Sequence, residues 1–459
     1  MLTAINAIKL LLLISLGFLY LIGQGWLIIG PLLHGSLFNR KKEISRSLEM
    51  SLLLISGVII NYGLTIIVQS LQTSLIIGGI LALVGLFFFI FTFIKSFKQI
   101  TVSVNSFYKW LGIILVSSLF LGPILVIPLW EWDALSIWFL HAKMIYMAGS
   151  FSQLTGWLHP SVLFSHVDYP NLVPALAAQI THLMGFWNEY LPKLSMFFLL
   201  VPAVILLFSS FRRSYSFLFL IILIPFSFAS RLWDGYMDGY LSLFFALSML
   251  FLGIYYKDVK PINLFLSIAC LSLLLYIKNE GVLAVVAGII AISFTLLFKH
   301  GKFSLKRILR DNWKYFVFLI LLCIPFFIWS NYKRQWGINN DLELGTNQSI
   351  IRMIERINDG SYKSILDNTN FELKSGIMLL GILFFVSLAV KNKIPKEILP
   401  VMIGAVIYCL GIMFVYLVTP YDLAWHLHQS VYRTLLSVNT CIYIASYFLV
   451  SSLEKNEVV

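Results

Sequence analysis

Charge is what this 459-residue sequence is short of. Asp, Glu, Lys and Arg together make up only 12% of it, about half the ~25% usual in a soluble domain, while 59% is hydrophobic. A soluble core of this length cannot enclose that much apolar surface, so a water-soluble globular protein is excluded. Cysteine is scarce as well. Cys270, Cys323, Cys409 and Cys441 all lie in apolar runs, with no CxxC pair and no metal-ligand spacing. They read as small buried hydrophobes and carry no information on redox compartment. No GxGxxG or phosphate-loop pattern occurs, so a nucleotide-binding fingerprint is missing too.

What is present is a succession of long apolar runs. A hydrocarbon core of ~30 Å needs about 20 residues of helix. Runs of that order lie near 8–30, 50–69, 74–94, 111–130, 191–208, 216–230, 237–256, 262–277, 281–298, 315–331, 375–390, 399–418 and 433–452. The sequence therefore predicts an all-α polytopic membrane protein with about 13 transmembrane helices, organised as one integral membrane domain over 1–459. The first run is too long for the ~7–15-residue core of a signal peptide and is expected to be a retained helix.

The net charge of +12 does not point to nucleic acid. Most basic residues cluster in short segments between the runs, as membrane anchors do. Arg40, Lys41, Lys42, Arg46, Lys95, Lys98, Lys109, Arg212, Arg213, Lys257, Lys260, Lys299, Lys302, Lys306, Arg307, Arg310, Lys314, Lys391, Lys393, Lys396 and Lys455 fall in alternate loops. The positive-inside rule then places the N-terminus outside and the C-terminus in the cytoplasm. Two outer segments are long. The first, 131–190, holds two helix-like stretches (134–149 and 172–186) expected to lie along the membrane surface. The second, 332–374, is the most polar part of the chain.

With this orientation nearly every unusual polar cluster falls on the outer face, and ionisable groups at membrane ends tend to be functional. Asp133 follows an apolar run amid Trp130, Trp132 and Trp138. It reads either as a helix cap in an aromatic belt or as a carboxylate fit to act as a general base. Asp168-Tyr169-Pro170 is a turn signal that also offers a second acid. Asp234 and Asp238, four apart, are expected on one face of a helix start, where the dipole favours acids. Lys278 and Glu280 read as a local ion pair in a short hairpin, or as a cation held for a phosphate. Arg433 falls near the start of the last run, where the dipole disfavours a cation. An anionic ligand or a buried carboxylate would explain it, and the ligand is favoured. His426, seven residues earlier, shares its face if the stretch is helical. The outer-side histidines 141, 159, 166, 182, 426 and 428 show no HxxxH or HExxH spacing, so no metal ligands are assigned.

Four of these clusters, in order, resemble a known family. They are Trp132-Asp133-Ala134-Leu135-Ser136-Ile137-Trp138, Asp168-Tyr169-Pro170-Asn171-Leu172, Lys278-Asn279-Glu280-Gly281, and Thr419-Pro420-Tyr421-Asp422-Leu423-Ala424-Trp425-His426-Leu427 with Arg433. The sequence is similar in these to bacterial GT-C-type glycosyltransferases, integral membrane enzymes related to the dolichyl-phosphate-mannose protein mannosyltransferases. The mannosyltransferases carry adjacent Asp-Glu where this chain has Glu131-Trp132-Asp133. The resemblance implies a polyprenyl-phosphate-linked sugar donor, transfer on the non-cytoplasmic face to a glycan or lipid-linked acceptor, and a catalytic acid in the first outer loop, here Asp133. In that chemistry Arg433, Lys278, His426, Asp168 and Glu280 are expected to bind substrate. No cofactor is assigned, and a divalent metal is compatible. A plasma membrane of a bacterium fits this reading. A transporter or flippase, or a polymerase or ligase of lipid-linked glycans, is the competing expectation, although the charges lie at helix ends and no internal repeat is visible.

Overall fold

The computed structural model describes residues 4–34, 45–97, 104–210, 214–221, 228–300, 310 and 313–454. Among them there is no strand, only an antiparallel bridge between Ser70 and Ser150. Eleven of the described helices are long and apolar enough to cross a membrane. Several leave an apolar stripe uncovered. On α3 (Leu71–Phe97), Ile76, Ile80, Leu83, Phe87, Ile90 and Ile94 are all exposed, at the three- and four-residue spacing of one helix face. Such a surface is stable only against hydrocarbon. The chain is an all-α, multi-pass membrane protein. The expected basic positions Arg40, Lys41, Lys42, Lys98, Arg212, Arg213, Lys302, Lys306, Arg307 and Lys455 lie outside the described residues.

The chain divides into two compact units. Unit 1 comprises Met1–Ser210, Ser230–Tyr236 and Lys314–Tyr332. Its first three helices are α1 (Ala4–His34), α2 (Arg46–Val68) and α3. They approach backbone to backbone, and glycine is the reason. A Cβ on Gly25 would lie 2.0 Å from the Leu53 carbonyl oxygen, and one on Gly85 would lie 1.8 Å from that of Gly23. Without a hydrophobic drive between helices in lipid, such small-residue contacts are what hold them together. The remaining helices of this unit are α4 (Val104–Val126), α5 (Phe139–Ala148), α6 (Leu172–Met184) and α7 (Leu194–Ser209). Every residue of α6 from Leu172 to Thr181 is buried, so this helix is enclosed by protein rather than laid along a surface. Gln179 on α6 explains part of that position. It exchanges hydrogen bonds with Asn61 on α2 (2.6 and 3.3 Å) and donates to Thr65 at 2.9 Å.

Unit 2 comprises Phe211–Ala229, Met237–Trp313 and Lys333–Val459. After the short α8 (Ser214–Ile221) come α9 (Asp238–Asp258), α10 (Pro261–Leu274) and α11 (Glu280–His300). Next is α12 (Trp313–Trp336), whose segment Lys314–Tyr332 belongs to unit 1. The chain then forms α13 (Asn347–Asn358), α14 (Tyr362–Lys391), α15 (Ile398–Val418), α16 (Leu423–Thr434) and α17 (Leu436–Leu453). Helix α9 is the hub. Every residue from Asp238 to Tyr255 is buried, with α10, α11, α15 and α17 packed around it.

Two expected spans need comment. The run 216–230 is described only as α8 up to Ile221, and residues 222–227 lie outside the described set. The run 262–277 appears as the 14-residue α10, about 21 Å long and too short to cross alone. It starts just after α9 ends, yet Lys278 Nζ returns to 2.9 Å from Asp238, the first residue of α9. The non-helical Leu275–Lys278 therefore completes the crossing. In the second polar segment, α14 begins at Tyr362, well before the apolar run at 375. Helix α13 exposes Ile350, Ile351, Ile354 and Ile357 on one face. From another face Arg352 and Arg356 donate to the carbonyls of Val418, Tyr416, Leu417 and Tyr421. Two guanidinium groups thus satisfy orphan acceptors at the C-terminus of α15.

The glycine contacts give a direct test within one helix. Gly85→Ala should destabilise the solubilised protein by about 1–3 kcal/mol through overpacking. Gly79→Ala, on the same α3 but with nothing within 4 Å of its Cβ position, should be neutral or slightly stabilising through helix propensity. Thermal unfolding of the two variants in one detergent checks the contrast; equal midpoints would refute the backbone-contact account.

Candidate functional site

Asp238 opens α9, Glu280 opens α11, and Lys278 sits in the connection just before Glu280. Lys278 Nζ is 2.9 Å from Asp238 Oδ1 and 3.0 Å from Glu280 Oε1, and Arg433 Nη1 is 3.8 Å from Asp238 Oδ2. All four side chains are largely withdrawn from solvent, Glu280 being the most exposed at 18%. Both acids occupy first helical turns, where the dipole stabilises a carboxylate. Two cations face two anions, so the quartet is neutral as a whole. Glu280 Oε2 is buried and accepts no hydrogen bond among the described residues. Gly281 makes the hairpin possible, because a Cβ there would lie 1.9 Å from the Leu274 carbonyl oxygen.

Arg433 differs from its sequence expectation. The apolar run at 433–452 hides a break, since α16 ends at Thr434 and α17 begins at Leu436. Arg433 therefore lies in the last turn of α16, where the macrodipole favours a cation, and its neighbour is the carboxylate of Asp238 rather than a vacant anion position. His426 does lie on the same helix. Its Nδ1 is 2.9 Å from Thr419 Oγ1, and its ring packs edge-on against Tyr416 at 5.0 Å and Tyr421 at 5.5 Å. Asp422 caps the helix by accepting from the Trp425 N–H at 2.8 Å. Thus much of the Thr419–Arg433 motif has structural work, leaving Arg433 as the member that reaches the quartet.

The other two motifs fold in unit 1. Asp133 adopts helical angles (φ −62°, ψ −31°) and makes no side-chain capping bond, so the cap reading does not apply. Residues Ala134–Trp138 after it form a π-helical turn, a rare geometry often found at functional sites. Ala134 is fixed in depth by Gly235, whose φ is +101° and whose Cβ position lies 2.4 Å from the Ala134 Cβ. Trp130 and Trp132 are exposed, whereas Trp138 is buried and packs on Tyr169 at 5.5 Å. Tyr169 in turn stacks on His166 at 5.0 Å. This aromatic stack links the Asp133 segment to that of Asp168, which is buried. The structure thus brings Lys278, Glu280 and Arg433 together in unit 2 and connects the segments of Asp133 and Asp168 in unit 1.

Asp234 and Asp238 do not share a helix face. Asp234 precedes the helix, pairs with Arg231 at 2.9 Å and accepts from the Tyr236 N–H at 2.9 Å; Gly235 turns the chain before α9 begins. Asp238 is the residue whose importance the sequence reading missed. The available signal was its position as the only acid at the head of an otherwise apolar run.

No family model, curated protein or solved structure matches this chain.

His141 illustrates a polar side chain with a structural role. Its Nδ1 is 3.0 Å from Asn171 Oδ1 and its Nε2 is 2.9 Å from Ser165 Oγ. The Asn171 amide nitrogen donates to the Tyr169 carbonyl, leaving Oδ1 to accept from Nδ1–H. Burial pushes the imidazole pKa from 6.5 down to about 4. The unfolded chain then binds a proton that the folded one refuses between those values, so stability falls as pH drops from 6.5 through 4 and is unaffected above that window. Thermal midpoints measured across pH 4–8 should show this acid slope in the wild type and a shallower one in His141→Gln.

The quartet yields a second expectation. Asp238→Asn removes the carboxylate that both Lys278 and Arg433 contact and should cost about 3–5 kcal/mol. Adding Lys278→Gln should recover a large part of that loss, as read by denaturation midpoints in a double-mutant cycle.

Proposed function

We propose that the protein is a membrane glycosyltransferase that moves a sugar from a polyprenyl-phosphate donor to an acceptor hydroxyl on the non-cytoplasmic face of a bacterial plasma membrane. The observation that carries the reading is the meeting of Lys278 and Arg433 at Asp238. Two of the four motifs that resemble the GT-C enzymes each deliver a cation to one carboxylate, at helix ends of a lipid-embedded unit where buried charge is costly.

In this reading the acceptor oxygen attacks the anomeric carbon while the bond from that carbon to the phosphate oxygen breaks. The acceptor proton passes to the Asp133 carboxylate as general base. Arg433 and Lys278 stabilise the departing polyprenyl phosphate as negative charge builds on it, Lys278 loosening its hold on Glu280. Glu280 tunes the Lys278 ammonium, with His426 and Asp168 as further polar contacts to substrate. The sugar and the acceptor, whether glycan or lipid-linked, are set by other parts of the site.

The main rival is a transporter or flippase for lipid-linked glycans, and the internal neutrality of the quartet is the feature that favours it. Purified protein given radiolabelled polyprenyl-phosphate sugar and a crude acceptor fraction separates the two. Covalent transfer is expected, with Asp133→Asn lowering turnover about 10²–10⁴-fold and Arg433→Ala about 10²–10³-fold, both variants remaining monodisperse. Unchanged turnover in both would sink the mechanism. Movement of the donor across a proteoliposome membrane without a covalent product would establish the rival.

A further inference from the structure

The helices of unit 2 build a second charged site at the ends opposite the quartet. Helix α9 finishes at Asp258, α11 at His300 and α17 at Leu453, and the turn from Lys391 to Glu397 closes against them. A cavity of about 600 Å³ lies between these ends. Five lysines line it, namely Lys257, Lys299, Lys391, Lys393 and Lys396, against one carboxylate, Glu397. That carboxylate lies 2.7 Å from Lys257 Nζ, so among the described residues of the lining no further acid offsets the other four ammonium groups.

The turn that carries three of these lysines is built rather than loose. Asn392 takes a left-handed conformation (φ +49°) and its N–H closes α14 on the Leu388 carbonyl at 2.8 Å. Buried Ser387 donates to the Lys393 carbonyl at 3.1 Å. On the other side the Glu397 carbonyl packs on Gly253, where a Cβ would meet it at 2.9 Å. Lys299 Nζ sits 5.3 Å above the Tyr256 ring. Like charges lining one cavity repel one another, an arrangement that a multivalent anion would relieve.

We propose that this cavity binds the phosphate headgroup of an anionic membrane phospholipid. Helix α9 has 21 residues, about 30 Å at 1.5 Å each, which equals the hydrocarbon thickness. With the quartet at one bilayer face, the lysine cavity falls at headgroup level of the other. Tyr256 and Tyr447 in its wall suit that depth, and Phe448 and Ile394 offer apolar surface to the first carbons of an acyl chain. Basic pockets between membrane helices at this level hold anionic headgroups. The site is independent of the glycosyltransferase reading and uses none of its residues.

The test uses the full chain, purified and titrated with phosphatidylglycerol or phosphatidylcholine under native mass spectrometry. Wild type should retain phosphatidylglycerol in preference. Lys393→Gln with Lys396→Gln should weaken that retention about thirtyfold, at roughly tenfold or less per lysine. A charge-matched pair on the same unit, Lys363→Gln with Lys374→Gln, should leave it unchanged, and Lys393→Arg with Lys396→Arg should preserve it. Equal loss in both glutamine pairs, or no preference between the lipids, would overturn the proposal. Binding of inorganic phosphate as tight as that of the lipid would overturn the lipid assignment in favour of a soluble anion. Should the pocket pair fail to fold, the wild type decides alone: its melting temperature must rise in phosphatidylglycerol nanodiscs over phosphatidylcholine ones, and equality refutes the site.

Discussion

A charge enclosed among lipid-embedded helices must find an opposite charge or a dense set of dipoles, because hydrocarbon offers neither. In unit 2 that demand converges on Asp238. Its carboxylate opens α9, a helix buried on every side, and it meets Lys278 from the α10–α11 connection and Arg433 from the end of α16. Each contact fixes the height of a different segment relative to α9. Sliding α11 or α16 by one turn, about 5.4 Å, would leave a cation without its partner. Asp238 therefore sets the vertical register of helices whose apolar faces alone would tolerate several.

Other buried cations meet the same demand in a different way. Lys193, wholly buried, donates to the carbonyl oxygens of Pro123, Ile127 and Trp233. Half-buried Arg356 closes the carbonyl end of α15. Backbone carbonyls cannot change charge, and moving them means unwinding a helix. Cations held this way are structural. Lys278 and Arg433 are held by side-chain carboxylates, which can rotate, exchange partners or take up a proton. Only the second kind of pairing can be rearranged by a ligand at modest cost. That distinction, rather than the bare presence of a buried charge, separates anchors from candidates for chemistry.

Much of the fold was legible because apolar runs report lipid contact directly. The stripe on α3 and the fully buried α9 follow from composition and length. Interruptions were not legible. Thr434-Leu435 carries no proline or glycine to mark where α16 stops, so Arg433 was assigned to the wrong end of a helix and its dipole argument inverted. Pro261–Leu274 is shorter than a span, and only the return of Lys278 to Asp238 reveals that the chain completes the crossing. At the site, Lys278 with Glu280 was readable as a local pair because their separation is two residues. Their link to Asp238 spans 40 residues and depends on two helix lengths matching, which no local pattern encodes. Asp133 reads from sequence as either a cap or a base; the π-turn that denies it the first role is a backbone event without a sequence signature here.

Neutrality of the quartet also constrains how an anionic substrate would engage it under the proposed function. A phosphate approaching Lys278 and Arg433 must compete with carboxylates already in place. The two acids are not equally replaceable. Asp238 contacts both cations and is almost wholly buried, so displacing it would unlock the register of α9 against α11 and α16. Within the quartet Glu280 contacts Lys278 and not Arg433 among the described pairs, and it is the most exposed of the four. Lys278 can therefore exchange Glu280 for a phosphate oxygen while keeping Asp238. Under the proposed function Glu280 would act as a placeholder that keeps the ammonium paired between turnovers, while Asp238 would keep the helices aligned.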